Sequence, residues 1–551
     1  MRKPNLNLNL SFYTKNVSYT SIFLMAIPMI LSAFTHLFNP VGFPCVHYDE
    51  AVYLGRSMHV LQGLGPQDPA SRFDHSQAST SSYDHPYFGQ LFLAGIFKLI
   101  GYPNSLVHTS ATTNDILHSI EMLYFVPRVL MGLLAVVDTF LVYKIAERRY
   151  SRNVAVIASV LFAVMPLSWL IRRIYLDTIL LPFLLSSILF AIYYNRKDSK
   201  SADNKYGDGS SGVGRVGDIG GSISDSKTLI PTLLSGIFLG LAIFTKIPAF
   251  TMIPVVGFLI FTNNSNKKRL KVLGLWFIPV ILIPLIWPLY AAYNGQFYEW
   301  LDGTSYQGKR GTHYEGDIIL PNALNKFFQI DPVLFVLGIC GLFYVAIKKD
   351  VALVLWVIPY LIFLYVIVWT TYFHLMIILP VFCIAFAVLL GDLLQVIRRK
   401  IMNQRILLSL LSPPAAITSI GIFGLIASIT LIIVNLTFNN FVIFAFIIQQ
   451  LPDFNDSRDS KLIMVGSPYL RTQYWLYKYA FSKDFDFMSI TDPPINDTHF
   501  IIPFNTQKVL FIIDSFFSQI HSKGPLEQIQ RLYNGTYTKA IFQRVEIRSN
   551  Y

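Results

Sequence analysis

Long apolar runs separated by short polar clusters dominate this chain. Crossing ~30 Å of hydrocarbon as helix takes roughly 18 or more mostly apolar residues. About eleven windows approach that measure, at 21–38, 121–143, 154–170, 176–194, 229–245, 247–262, 272–290, 332–347, 351–369, 375–396 and 413–435. The first outer segment, 39–120, is too polar to span but holds two amphipathic stretches. In 50–64, Ala51, Leu54, Met58 and Leu61 share one helical face while Arg56 and His59 lie elsewhere, which predicts a helix along the membrane surface. A second, more apolar helix is predicted over 87–100. The outer loop 291–331 is aromatic and polar, running through Tyr293, Tyr298, Trp300, Tyr306 and Tyr314. Within 195–228, Gly, Ser and Asp prevail, which predicts a flexible cytoplasmic linker.

From about residue 451 the pattern changes to that of a globular domain. Strand-like runs at 461–465, 485–490, 508–513 and 540–547 alternate with helical patterns at 468–481 and 515–533, so 451–551 reads as a small α/β domain outside the membrane. Its aromatic run, Tyr474, Trp475, Tyr477 and Tyr479, suits either a packed core or a sugar-stacking face. Sequons at Asn455, Asn496 and Asn534 fit an exterior location, although another, at Asn263, falls in a loop placed inside.

Composition limits what such a chain can be. Hydrophobic residues make up 53% of the 551 and charged residues 14%, with a mean hydropathy of +0.48, against about 25% charge in an ordinary globular chain. Neither a water-soluble fold nor a disordered chain accommodates that, so residues 1–450 read as an all-α polytopic membrane domain. Arg2, Lys3 and Lys15 place the N-terminus in the cytoplasm, 21–38 reads as a retained first helix, and an odd number of crossings puts the C-terminal domain outside. Net charge is +12, but 23 of the 44 Lys and Arg fall in the cytoplasmic pieces, nine in outer loops, eleven in the tail, and Arg128 within a span. The excess is therefore topological and implies no nucleic acid. Of three cysteines, Cys340 and Cys383 lie in apolar spans, which offers neither a disulfide framework nor a zinc pattern.

Candidate chemistry gathers at one membrane face. His47-Tyr48-Asp49-Glu50 follows the first span, where two adjacent acids need water or a cation nearby. Two readings stand for them: Asp49 as helix N-cap with Glu50 as a first-turn acid, or a catalytic carboxylate. His85, in Tyr83-Asp84-His85-Pro86, heads the second surface helix and is either an exposed loop histidine or a phosphate contact. Arg172-Arg173-Ile174-Tyr175-Leu176-Asp177 forms a short outer turn, where Asp177 either pairs with one of the arginines or faces the first loop. Arg128 and Lys246 lie near outer ends of spans, where snorkelling would explain them, and His374 comes out on the same face.

Five pieces then carry a resemblance. DEAVYLGRSMHVLQGLG at 49–65, DHPYFGQLFLAGIFKLIG at 84–101, PRVLMGLL at 127–134, RRIYLDTILLPF at 172–183 and GIFLGLAIFTK at 236–246 together resemble the GT-C superfamily of membrane glycosyltransferases. The similar branch contains dolichyl-phosphate-mannose protein mannosyltransferases and lipid A aminoarabinose transferases. The likeness implies a polyprenyl- or dolichyl-phosphate-linked sugar donor, a mannose-like hexose, used at the outer face with a protein, lipid or glycan as acceptor. It implies Asp49 as the catalytic acid accompanied by Glu50, Asp177 as the second acidic position, and Arg128 as the arginine opening the next span. His85 stands where the aminoarabinose branch has lysine before a Pro-Pro pair, and Tyr87 replaces the second proline. The tail lacks the WWD triplet that oligosaccharyltransferases carry.

The chemistry that such a resemblance implies asks little of the protein. A glycosyl phosphate has a good leaving group, so one carboxylate suffices as base, and cations hold the phosphate: Arg128, Arg173, Lys246 and His85. No cofactor is implied with certainty; a divalent metal sharing the task would draw on His47, Asp49, Asp84 and His85. Competing readings are a transporter or flippase of lipid-linked precursors and a noncatalytic surface-assembly factor. No inverted repeat is visible, and the charges gather at one face rather than the midplane, which weighs against transport. The expected location is the plasma membrane, or the endoplasmic reticulum in a eukaryote.

Overall fold

Every apolar window contains helix in the computed structural model, which describes residues 19–42, 44, 46–65, 83–102, 113–193, 221–262, 269–309, 319–367, 370–400, 413–435 and 446, together with five strands beyond. The first seven helices are α1 (Tyr19–Leu37), α2 (Tyr48–Leu61), α3 (Phe88–Ile100), α4 (Thr113–Arg149), α5 (Arg152–Val164), α6 (Pro166–Trp169) and α7 (Leu176–Tyr193). Among the described residues, five helices are long and apolar enough to cross a membrane, Glu121–Arg149, Leu176–Tyr193, Arg269–Tyr293, Leu379–Arg398 and Pro414–Leu431, or six if the bent pair Leu320–Ile330 and Pro332–Ile347 counts as one span. The other apolar windows form shorter helices, so the part of the chain before the tail is helical and membrane-embedded, with fewer full-length crossings than the eleven windows suggest.

Burial sorts these helices into centre and periphery. Every residue of α5 from Val154 to Val164 is buried, because α1, α4, Leu379–Lys400 and Pro413–Asn435 all pack on it. Ser151 starts that helix by accepting from Val154 N at 3.3 Å. It stops at Met165, which is extended (φ −71, ψ 145) because the following Pro166 disfavours helical geometry in the residue before it. The expected continuous span 154–170 is therefore broken into α5, α6 and a 3-10 turn, Leu170–Arg172. Arg269–Tyr293 lies at the periphery, leaving Leu270, Ile278, Leu282 and Leu289 exposed as lipid-facing residues would be. It is held close to Gly221–Thr245, where a Cβ on Gly240 would sit 2.5 Å from the Pro279 carbonyl oxygen.

The interruptions also take shape. The surface helices are α2 and α3, beginning two residues earlier and one residue later than the sequence pattern suggests. Of the expected linker 195–228, residues 221–228 already belong to helix Gly221–Thr245; the rest lies outside the described residues. The outer loop 291–331 contains helices Phe297–Lys309 and Leu320–Ile330, the second strongly amphipathic and meeting Pro332–Ile347 at 117°.

The tail forms a mixed five-stranded sheet of order β2-β1-β3-β5-β4. β1 (Leu462–Gly466) pairs in parallel with β2 (Asp486–Ser489) and β3 (Lys508–Ile513). The expected fourth strand at 540–547 is instead a hairpin of β4 (Tyr537–Phe542) and β5 (Val545–Ser549), with Phe542 opposite Val545. Leu510, Phe511 and Ile512 are buried, as a central strand requires. The helices expected at 468–481 and 515–533, the aromatic run and the sequons in this domain lie outside the described residues.

Candidate active site

The start of α2 settles the roles of two adjacent acids. His47 is the N-cap: its Nδ1 accepts from Asp49 N at 3.4 Å, and Glu50 Oε1 accepts from His47 N at 2.9 Å. Capping, one of the two readings open for Asp49, thus falls to His47, and the Asp49 carboxylate stays 21% exposed. Its Oδ2 lies 3.5 Å from His47 Nδ1. Burial lowers the His47 pKa, with Arg173 lowering it further and Asp49 opposing, so the imidazole is neutral at physiological pH. With Nδ1 accepting a hydrogen bond, the ring proton is assigned to Nε2.

Glu50 is fully buried and saturated. Arg128 donates to it from Nε at 2.9 Å and Nη2 at 2.7 Å, and Ile174 N donates at 3.1 Å. Arg128 Nη1 turns the other way, to the carbonyls of Pro40 at 2.9 Å and Pro44 at 2.7 Å. Burial alone would raise the Glu50 pKa, but the charge and hydrogen bonds of Arg128 outweigh it and hold the carboxyl below the usual glutamate range. Arg128 is itself wholly buried, so it reaches the surrounding space only through Glu50, as a brace between α4, α2 and the chain leaving α1.

The turn before α7 divides its arginines similarly. Arg172 donates to the carbonyls of Thr35, Phe38 and Asn39 and so clamps the end of α1. Arg173 donates from Nη1 to the Tyr372 hydroxyl at 2.8 Å and lies 3.4 Å from that of Tyr175, while its Nε has no partner among the described residues. Asp177 pairs with neither: Lys246 Nζ donates to its Oδ2 at 2.6 Å, leaving a buried Oδ1 unpartnered among the described residues.

These groups surround two tyrosines that the sequence did not single out. Tyr53, four residues after Asp49 on the same face of α2, has its pKa pushed well up, first by burial and then by the fields of Asp49 and Asp177. Tyr175 is raised by burial and by Asp49, against the pull of Arg173. Tyr53, Tyr175 and Leu176 pack together with Phe373, and His47 meets Tyr175 and Phe373 edge-on at 5.6 and 5.8 Å. Asp49 and Asp177 therefore belong to one cluster at one end of the bundle. Asp84 holds Arg56 through a pair of contacts at 2.8 and 3.0 Å, tying the segment before α3 to α2, and the His85 ring lies 6.5 Å from that of Tyr53. His374 joins the neighbourhood through the 3-10 turn Tyr372–Ile377, its Nδ1 2.9 Å from Thr371 Oγ1. Among the described residues, no three His, Cys, Asp or Glu side chains form a metal-sized group, so His47, Asp49, Asp84 and His85 do not converge as a ligand set. Tyr53 was legible as the i+4 partner of Asp49; Tyr372, almost two hundred residues from Arg173, left no signal in the sequence.

Comparison with known proteins bears on the family and the fold. A family model for dolichyl-phosphate-mannose-protein mannosyltransferase matches residues 67–207. No curated protein matches the chain by sequence. ArnT from Cupriavidus metallidurans, solved bound to undecaprenyl phosphate, superposes with a TM-score of 0.56 at 12% identity over 96% of this chain and 98% of that one. Its apo form gives 0.58 at 12% identity, over 96% and 97%. The oligosaccharyltransferase of Archaeoglobus fulgidus, tethered to an acceptor peptide containing the NVT sequon, gives 0.51 at 14% identity over 86% of this chain and 64% of its own. The fold is that of the GT-C membrane glycosyltransferases. Over residues 67–207 the chain is similar to the protein mannosyltransferase family, and over nearly its whole length it is similar in fold to ArnT.

Proposed function

We propose that this protein is an inverting glycosyltransferase that takes a sugar from a polyprenyl- or dolichyl-phosphate and passes it to a hydroxyl or amine acceptor at the outer membrane face, with Asp49 as base. One observation carries the reading. Of the cluster's four acids, Glu50, Asp84 and Asp177 are each held by a lysine or arginine, whereas Asp49 keeps a partly exposed carboxylate beside a neutral histidine. In the proposed reaction Asp49 takes the proton from the acceptor as its oxygen or nitrogen bonds to the anomeric carbon. The bond from that carbon to phosphate oxygen breaks, its electron pair leaves with the lipid phosphate, and the configuration inverts.

The leaving phosphate needs positive charge that is not already spent. Arg173 supports that role, since its guanidinium bonds phenol hydroxyls rather than a carboxylate and retains an unused N–H. Lys246 is more compromised, because Asp177 neutralises it; this pair orients the turn and yields its ammonium only if Asp177 finds another partner. His85 stands beside Tyr53 as a candidate phosphate contact, and Glu50 with Arg128 acts as a positioning pair under Asp49 rather than touching the donor. A mannose-like hexose is the proposed sugar, in keeping with the matched family's description. Asp49→Asn, folded normally, is expected to lower transfer of a labelled sugar from polyprenyl phosphate by about 10²- to 10⁴-fold. Transfer at the wild-type rate refutes the assignment. Movement of the lipid-linked sugar across vesicles without covalent transfer would favour transport instead.

A further inference from the structure

The end of the bundle opposite Asp49 holds a cavity. Arg128 to Arg149 spans about 32 Å along α4 at 1.5 Å per residue, so α4 carries the chain from the catalytic end to this one. There the start of α5, the end of Pro332–Ile347 and the second half of Leu379–Lys400 enclose a cavity of about 440 Å³. Val154, Ile157 and Val388 wall it with apolar surface, while Lys348, Gln395, Arg398 and the carboxylates Asp350 and Asp392 line its polar part.

With Arg149 just outside the cavity counted, three cations face two acids here. Asp350 is bound by Arg149 and by the Tyr150 hydroxyl, and Asp392 by Lys348 and by the Tyr344 hydroxyl at 2.9 Å. Both acids are thus answered, and Arg398, exposed, has no acidic partner among the described residues. Beside the cavity, Phe343, Ile347, Leu393 and Val396 are exposed, as side chains facing lipid are. A cavity with an apolar wall and a surplus arginine, set among lipid-facing residues, matches a ligand with a negative head and a hydrocarbon tail.

We propose that this cavity binds one anionic phospholipid of the adjacent leaflet. Its phosphate sits against Arg398 and the Gln395 amide, and an acyl chain follows Val154, Ile157 and Val388. A free phosphate ion would gain nothing from the apolar wall, and a zwitterionic headgroup would bring its own cation to an arginine. The site is independent of the proposed transfer reaction.

Native mass spectrometry of the full chain, released from detergent containing equal phosphatidylglycerol and phosphatidylcholine, tests it. One phosphatidylglycerol is expected to be retained preferentially. Arg398→Glu should reduce that retention about tenfold, whereas Lys271→Glu, an exposed charge reversal at the same end on another helix, should leave it unchanged. Arg398→Gln, milder at an exposed position, should show an intermediate loss and guards against misfolding. Equal retention of the two lipids, unchanged retention in both Arg398 variants, an equal loss in Lys271→Glu, or full displacement by millimolar inorganic phosphate would each overturn the proposal.

Discussion

Asp49 and Glu50 are neighbours in the chain and end in opposite circumstances. Successive helical residues point about 100° apart, so one carboxylate turns into the protein and the other toward the space in front of it. Glu50 meets Arg128 and two backbone N–H groups; Asp49 meets only a neutral histidine and its surroundings. Two adjacent acids at a membrane exit were conspicuous in the sequence, but which would be sequestered depended on where Arg128 lay. Removing that arginine by Arg128→Ala leaves a buried charge without its partner, an expected loss of about 3–5 kcal/mol, measurable as a lower Tm of the full chain in detergent. Arg128→Lys should recover only part, since an ammonium cannot reproduce the two-pronged contact. The pH dependence follows from the sign of the Glu50 shift. Its folded pKa lies below the ordinary value, so the contribution is complete above about 4.3 and is lost only as pH falls through the lower folded value. In Arg128→Ala, burial acts on Glu50 without the opposing arginine and raises its pKa, so the variant regains stability as the buried carboxyl takes up a proton and the wild-type advantage should shrink as pH falls from neutral.

At the scale of elements, termini and breaks decide what each helix presents. The stop of α5 was written in the sequence, because Pro166 acts on its immediate neighbour, whereas His47 as N-cap was not, since histidine is outside the preferred capping set. A second cap carries a testable consequence. Asp331 opens Pro332–Ile347 by accepting from Leu334 N at 3.1 Å and is nearly buried, at 2% exposure. Burial raises its pKa to about 6, outweighing that hydrogen bond. Because the folded value lies above the unfolded one, the folded chain takes up the proton first as pH falls, so this group adds stability progressively from about pH 6 down to about pH 4 and costs most above it. Asp331→Asn keeps a capping oxygen but not the titration. Between pH 7 and pH 5 the wild-type Tm should rise relative to that variant, by the equivalent of roughly 1 kcal/mol. Parallel Tm curves for the two would refute the shift.

Across the whole molecule, the separations that matter are long. Glu50 and Arg128 are 78 residues apart, Asp177 and Lys246 69, and Arg173 and Tyr372 199, yet all meet at one end of the bundle. That shared end predicts a common accessibility. In a chain whose own cysteines are replaced by alanine, a cysteine at exposed Tyr298, near the Asp49 end, should react with a membrane-impermeant maleimide from outside. A cysteine at Lys271, at the opposite end, should react only after permeabilisation. Reaction of both from the same side would separate the proposed active site from the outer face.

The sequence by itself determined that this chain is helical and belongs in a membrane. Apolar area is additive along the chain, so a run of such residues declares its own burial whatever its neighbours are. It also marked the end of the molecule where acids and bases collect, since that follows from counting crossings. What only the tertiary structure decided is which charges are spent on one another. In a medium of low dielectric an ion pair a few ångströms long outweighs every local preference, and its partner comes from a helix dozens or hundreds of residues away. Spacing along the chain holds no record of that distance. Asp177 found Lys246 instead of the arginines beside it, Arg128 was consumed as a brace, and Asp49 was left open.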